Sequence, residues 1–214
     1  FLHNVDGIIA WDYHECLARE KIPAVIYGAE IPGFDAVMQD YAFSSKTTVK
    51  YLLKLGHVEI GYLGPLEDPR AEFLRQNLEE ARLPVREEWF IPAKGTLPGG
   101  NDAMPEFLSL KKHPTALVAQ NHSIAAGAIF CAIRSGIRIP EDLSVIGFNN
   151  TVTAAFTLPP LTTFNTHTND LADALVDLLM KRLETPDMPV QVSKIRPELV
   201  IRESCKSITE KEVK

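Results

Sequence analysis

The chain has 214 residues, of which 45% are hydrophobic and 23% charged, with a formal net charge of −6. That length allows one large domain or two small ones, and the composition excludes disordered and collagen-like chains. The longest strongly apolar run, Ala125–Ile133, falls far short of the ~18 residues that a membrane span needs.

The acidic balance speaks against a broad basic face for nucleic acid. The densest basic stripe, Lys46, Lys50 and Lys54, falls on one face of an expected helix and reads as solvated. Three well-separated cysteines, Cys16, Cys131 and Cys205, give an odd count that suits a reducing compartment rather than a disulfide framework. The first ten residues carry no basic stretch and no small-residue cleavage site, so they read as the approach to a strand rather than a signal peptide.

In chain order, short apolar runs at Val5–Trp11, Ala24–Tyr27, Glu59–Leu63, Ala116–Gln120 and Ser144–Phe148 predict strands covered on both faces. Helical spacing predicts four helices between and after them. The first carries Val49, Leu52 and Leu53, is capped by Ser44 or Ser45 and is closed by Gly56. The second runs from Arg70 to Ala81, the third from Ser123 to Ser135 with Gly136 beyond it, and the last from Asn169 to Glu184. Gly99-Gly100-Asn101-Asp102 reads as a turn. Strand–helix alternation of this kind predicts an α/β fold with doubly wound parallel sheets. Extended runs at Gln191–Ile195 and Leu199–Arg202, after the last helix, suggest a chain that passes between two sheets.

Catalytic and cofactor signatures are missing. The sequence has no G-x-G-x-x-G, no G-x-x-x-x-G-K-[ST] and no G-x-S-x-G. None of the six histidines stands at ligand spacing from another histidine or from a cysteine, so no metal site is expected. The acid pairs Glu79-Glu80 and Glu87-Glu88 read as solvated surface.

Open α/β sheets bind ligands beyond the carboxyl ends of their strands, at the topological switch point. That rule selects Trp11-Asp12, Gly64-Pro65, Asn121-His122 and Asn149-Asn150, with Arg70 close by. Amides and arginine can pair with vicinal hydroxyls or carboxylates, and an indole can stack on a sugar face. Each residue also has a plain structural reading. Asn149-Asn150 could be a turn, Arg70 a helix-surface pair, and Trp11 core.

An ordered series of segments resembles the effector-binding core of the lac repressor / galactose repressor (LacI/GalR) family of bacterial transcription regulators. It comprises Val5-Asp-Gly-Ile-Ile9, Leu52-Leu-Lys-Leu-Gly-His57, Ile60-Gly-Tyr-Leu-Gly-Pro65 and Pro114-Thr-Ala-Leu-Val-Ala-Gln-Asn121. Ile139-Pro-Glu-Asp-Leu-Ser-Val-Ile-Gly-Phe148, Pro159-Pro-Leu-Thr-Thr163 and Glu198-Leu-Val-Ile-Arg-Glu-Ser204 complete it.

The resemblance implies two Rossmann-like, periplasmic-binding-protein-like subdomains with an effector cleft and three crossovers, near Leu55–His57, Thr163–Thr168 and Val190–Lys194. The expected bounds are 1–56 with 165–190 for one subdomain, 57–164 with 191–205 for the other, and 206–214 as a tail. It further implies a cytoplasmic homodimer that is not an enzyme. DNA contact would come only from an N-terminal head outside this chain. A periplasmic sugar-binding protein of a transporter is the alternative on the same fold.

Carried over by position, Arg70, Asn121, Asn149 and Trp11 are the implied effector contacts, with Phe43, just ahead of its helix, as pocket wall. Leu97 lies near a position often aromatic in the family. His122 and Asn149-Asn150 stand where the family usually has acids, and Phe73 where it often has glycine. With no acid expected to face Arg70, this charge change suggests an acidic or phosphorylated effector beside the usual sugar class.

Overall fold

The computed structural model describes residues 5–11, 15, 17 and 22–208. Cys16 and Asp12, together with the end of the expected tail beyond residue 208, lie outside them. The chain divides into two compact units, Phe1–Asp40 with Thr166–Pro197 and Tyr41–Asn165 with Glu198–Lys214.

The first unit is built on four parallel strands, β1 (Ile8–Ala10), β2 (Ala24–Tyr27), β3 (Asp35–Gln39) and β9 (Val192–Ile195), in the order β1-β2-β3-β9. A long helix, α6 (Thr168–Glu184), lays Leu171, Leu175 and Leu178 against Val25 and Val37, while Ile26 and Ala36 face the other side with Leu17. Asp35, only 1% exposed in its side chain, receives Nε and Nη2 of Arg182 at 2.7 and 2.8 Å and the Gln191 N–H at 2.7 Å. The pair ties the end of α6 to the start of β3 and satisfies a carboxylate that burial alone would disfavour.

The second unit holds a parallel sheet of β4 (Ile60–Leu63), β5 (Phe90–Ile91), β6 (Ala116–Ala119) and β7 (Ser144–Ile146), in the order β5-β4-β6-β7. Its side chains alternate strictly between two cores, as a period of two requires. Ile60, Tyr62, Ala116, Val118 and Ile146 pack with α1 (Tyr41–Lys54) and α2 (Pro69–Glu80). Leu63, Leu117, Ala119 and Val145 pack with α3 (Leu97–Ser109) and α4 (His122–Arg134). A short helix α5 (Val152–Ala155) and an antiparallel pair, β8 (Thr163–Asn165) with β10 (Glu198–Val200), complete the unit.

The chain passes between units after residues 40, 165 and 197. The second position falls within the expected segment. The first crossover comes some way before residues 55–57 because α1 packs on α2, with Asn77 Nδ2 donating to Ser45 Oγ at 3.3 Å, and so belongs to the second unit. β9 joins the first unit through its ladder with β3, where the expected bounds place residues 191–195 in the other. Residues 206–208 are not a free tail, because the Lys206 carbonyl lies 3.0 Å from His57 Nε2 and the Ile208 N–H donates to Leu55 O at 2.8 Å.

Other expectations are corrected by local chemistry. Ser44 and Ser45 do not cap α1 but lie inside it, and Ser44 Oγ donates to Tyr41 O at 3.0 Å. Gly99-Gly100-Asn101-Asp102 is not a turn but part of α3, whose cap Thr96 accepts the Gly99 N–H at 3.1 Å and whose Pro98 sits in the first turn. These glycines serve contact rather than flexibility. A Cβ on Gly100 would lie 2.1 Å from Ile124 O, and one on Gly127 of α4 would lie 2.0 Å from Leu97 O. The two backbones therefore approach where only glycine fits. Gly100→Ala and Gly127→Ala are each expected to destabilise the protein by about 1–3 kcal/mol through overpacking, read as a lowered urea midpoint at unchanged slope.

Candidate functional site

In the second sheet β4 lies between β5 and β6, so successive connections leave β4 in opposite directions and the switch point falls between β4 and β6. Their carboxyl ends approach closely: a Cβ on Gly64 would stand 2.5 Å from Gln120 Cβ. Two helices begin at this edge, each with a side-chain cap. Asp68 caps α2, accepting the Arg70 N–H at 2.9 Å, with Pro69 in the first turn. Asn121 caps α4, accepting the Ile124 N–H at 2.8 Å. Capping by short acceptors at orphan N–H groups explains both helix starts.

A polar cluster spans the switch point. Arg70 donates through Nε and Nη2 to the two Asp68 oxygens at 2.8 and 2.7 Å, and through Nη1 to Gln120 O at 3.1 Å. Its guanidinium carbon lies 4.7 Å from the centre of the Tyr41 ring. Gln120 Nε2 donates to Asp68 Oδ2 at 2.8 Å, while Gln120 Oε1 accepts from Asn121 Nδ2 at the same distance. Asn121 Nδ2 also donates to Gly95 O at 3.1 Å. The Arg70 side chain is 13% exposed and Asp68 17%. Burial pushes the Asp68 carboxyl up, but the hydrogen bonds and charge of Arg70, with the Gln120 amide, outweigh it and hold the group below its ordinary value. Asp68 therefore faces Arg70, and the expectation of an unopposed cation is corrected.

The other expected contacts distribute unevenly. Asn121 has spent both amide hydrogens and one acceptor site on its neighbours, which leaves an Oδ1 lone pair for anything further. His122 opens α4, where burial lowers the pKa of its ring from the ordinary histidine value. Its Nε2 lies 3.1 Å from Ser123 Oγ, and its buried Nδ1 has no hydrogen-bond partner among the described residues.

Asn149, past the end of β7, takes the left-handed conformation at φ 65°, and its carbonyl accepts the Thr151 N–H at 2.8 Å. The turn reading applies to its backbone. Asn150 is held by Arg202 Nη2 at 2.7 Å. Phe43 lies in the first turn of α1, not ahead of it, and is partly exposed. Leu97 opens α3 and lines an apolar concavity of about 550 Å³ with Phe130, Ile133 and Leu158. Trp11 belongs to the first unit, where it is 78% exposed and packs edge-on against Tyr27 with ring centres 4.6 Å apart. It is not core.

Sequence reasoning missed Asp68, Gln120 and Tyr41. Asp68-Pro69 carried a usable signal, since an N-cap acid followed by proline marks a helix start. Nothing in the sequence distinguished Gln120 or Tyr41. Among the described residues no group of three or more His, Cys, Asp or Glu side chains could hold a metal ion, and no helix is long and apolar enough to cross a membrane.

Residues 49–205 match the family described as periplasmic binding protein-like domain. Over 194 residues the chain is 32% identical to the HTH-type transcriptional repressor PurR of Mannheimia succiniciproducens, covering 87% of this chain and 58% of that protein. A LacI family transcriptional regulator from Mycobacterium smegmatis superposes with a TM-score of 0.84 at 27% identity, over 95% of this chain and 80% of that one. Another, from Enterococcus faecium with bound ribose, gives 0.85 at 24% identity, over 96% and 81%. The chain belongs to the periplasmic binding protein-like domain family, and its core is of the LacI/GalR regulator type. It spans about three fifths of the length of the curated repressor that it matches.

The Asp68–Arg70 pair gives a pH-dependent contribution of defined sign. A carboxyl held below its ordinary value stabilises the fold above about pH 4 and loses that contribution as pH falls through the folded value. Asp68→Asn keeps a capping side chain but removes the charge. It is expected to lose about 1–2 kcal/mol at pH 7, and the difference from the parent should shrink progressively as the pH is lowered below about 4, measured by urea denaturation across that range.

Proposed function

We propose that this chain is the effector-sensing and dimerisation part of a cytoplasmic LacI-type transcription regulator without catalytic activity. A small polar metabolite binds at the edge formed by the carboxyl ends of β4, β6 and β7, and a DNA-binding head outside this chain reads the result. Binding shifts the population between conformations that differ in affinity for the effector. The observation that carries this reading is the Tyr41–Arg70–Asp68–Gln120 cluster at the switch point, in a chain of this family.

Of the two effector classes that the sequence allows, the cluster favours the uncharged, sugar-like one, because the Arg70 charge is already matched by Asp68. Vicinal hydroxyls can both donate to and accept from such a buried pair. That a similar regulator holds ribose supports the same class. Asn149, Asn121, His122 and Phe43 remain proposed contacts. The transporter-subunit alternative is not favoured, since the similar curated protein is named as a repressor.

The dimerisation proposal rests on a separate surface of the second unit. α4 buries Ile124, Ala125, Ala128 and Ile129 against the sheet and turns Phe130 and Ile133 outward. Leu97 and Leu158 line one concavity with them, and Phe156 and Leu158 are 81% and 82% exposed. A connected apolar surface of this kind marks an association site, and we propose a second copy of the chain as its occupant.

Calorimetry against a panel of neutral pentoses and hexoses, D-ribose included, is expected to find a binder. Arg70→Ala should weaken that binder by about ten- to a hundredfold, the worth of a hydrogen bond to a charged group; unchanged affinity would remove Arg70 from the site. Sedimentation analysis at micromolar concentration is expected to show a dimer that Leu158→Asp converts to a folded monomer. A monomeric parent chain would refute the second-copy assignment.

A further inference from the structure

The Asp68 carboxylate occupies the position that a bound anion would take. It accepts both oxygen-facing N–H groups of the Arg70 fork, the Arg70 backbone N–H at the start of α2, and the Gln120 amide. A guanidinium fork, a helix N-terminal N–H and a side-chain amide together make the donor set that free carboxylates and phosphates recruit. Here the set is satisfied from within the chain. Asp68 sits two residues before Arg70, fixed there by its cap to α2, and its side chain is largely buried.

We propose that Asp68 is a specificity-determining residue. As a resident carboxylate it fills the anion site that Arg70, Gln120 and the α2 N-terminus would otherwise form, and so closes this edge to free anionic metabolites. This deepens the effector reading above and rests on it for its biological meaning. A free anion would have to displace a carboxylate that accepts four hydrogen bonds, or bind beside it and meet its charge at short range. Either route opposes the anion, while an uncharged ligand meets neither penalty. Specificity built on an opposing charge is a general device. Burial disfavours the charged form of His122 and so opposes a second cation there.

The experiment uses inorganic phosphate as the probe on the whole chain, as the parent, Asp68→Asn and the double variant Asp68→Asn/Arg70→Ala. Asparagine preserves the α2 cap; Asp68→Ser, also a good cap, serves as a second variant should Asp68→Asn fold poorly. Calorimetry gives affinities, and the Arg70 Nε–H resonance reports whether the probe reaches the guanidinium. The parent is expected to show no saturable phosphate binding in the millimolar range. Asp68→Asn should gain at least about tenfold in affinity with a shifted Arg70 resonance, and the double variant should lose that gain. A parent that binds phosphate through Arg70 overturns the proposal, as does a well-folded Asp68→Asn that gains nothing.

The same samples titrated with D-ribose separate the two readings. Arg70-dependent phosphate binding in Asp68→Asn, without sugar binding by the parent, sustains the role of Asp68 and counts against the sugar-like effector. Sugar binding by the parent, with no phosphate gain in Asp68→Asn, does the reverse.

Discussion

Burial on both faces is the constraint from which the second unit follows. The apolar side chains of β4, β6 and β7 point into one of two cores, with Tyr62 and Val118 on one side and Leu63, Leu117 and Ala119 on the other. Such a sheet needs helices on both faces, and parallel strands need crossovers that supply them. The faces are then closed to polar groups, which gather where strands end and helices begin. The Asp68 and Asn121 caps stand there because two helices start side by side at the switch point.

Much of this was legible in the sequence because the signals were local. The runs at Ala24–Tyr27 and Ala116–Ala119, the leucine ladder of α6 and the glycine closing α4 each follow from composition and spacing. What escaped was decided at long range. β3 begins with Asp35 and ends with Gln39, both buried polar residues, so it lacks the look of a core strand. It can bury Asp35 only because Arg182, far along the chain, supplies the partner. α3 carries two glycines and an internal proline, and its sequence reads as a loop until α4 is placed against it.

The candidate site shows the same division. Strand ends and the cap role of the segment before Arg70 could be placed by pattern, but the partner of Arg70 could not. Asp68 with Pro69 marks a helix start, but nothing in the sequence names it as the partner of Arg70, and Gln120 reads only as the last residue of a strand. The meaning of Arg70 changes with that partner: an isolated guanidinium attracts anions, whereas one locked to a carboxylate and stacked near Tyr41 is a neutral, directional set of donors. Charge counted along the sequence therefore misstated the charge that a ligand would meet.

The seam between α3 and α4 has a mechanical meaning as well as a steric one. Where backbone carbonyls seat against Gly100 and Gly127, no side chain lies between the helices to deform. Backbone contact of this kind resists the sliding of one helix past the other. Leu97 projects from one helix and Phe130 and Ile133 from the other, so the spacing of this apolar surface is set by backbone contact rather than by adjustable side-chain packing. A partner pressed against it would meet side chains whose separation is fixed by that backbone contact, on a helix that begins at the Asn121 cap.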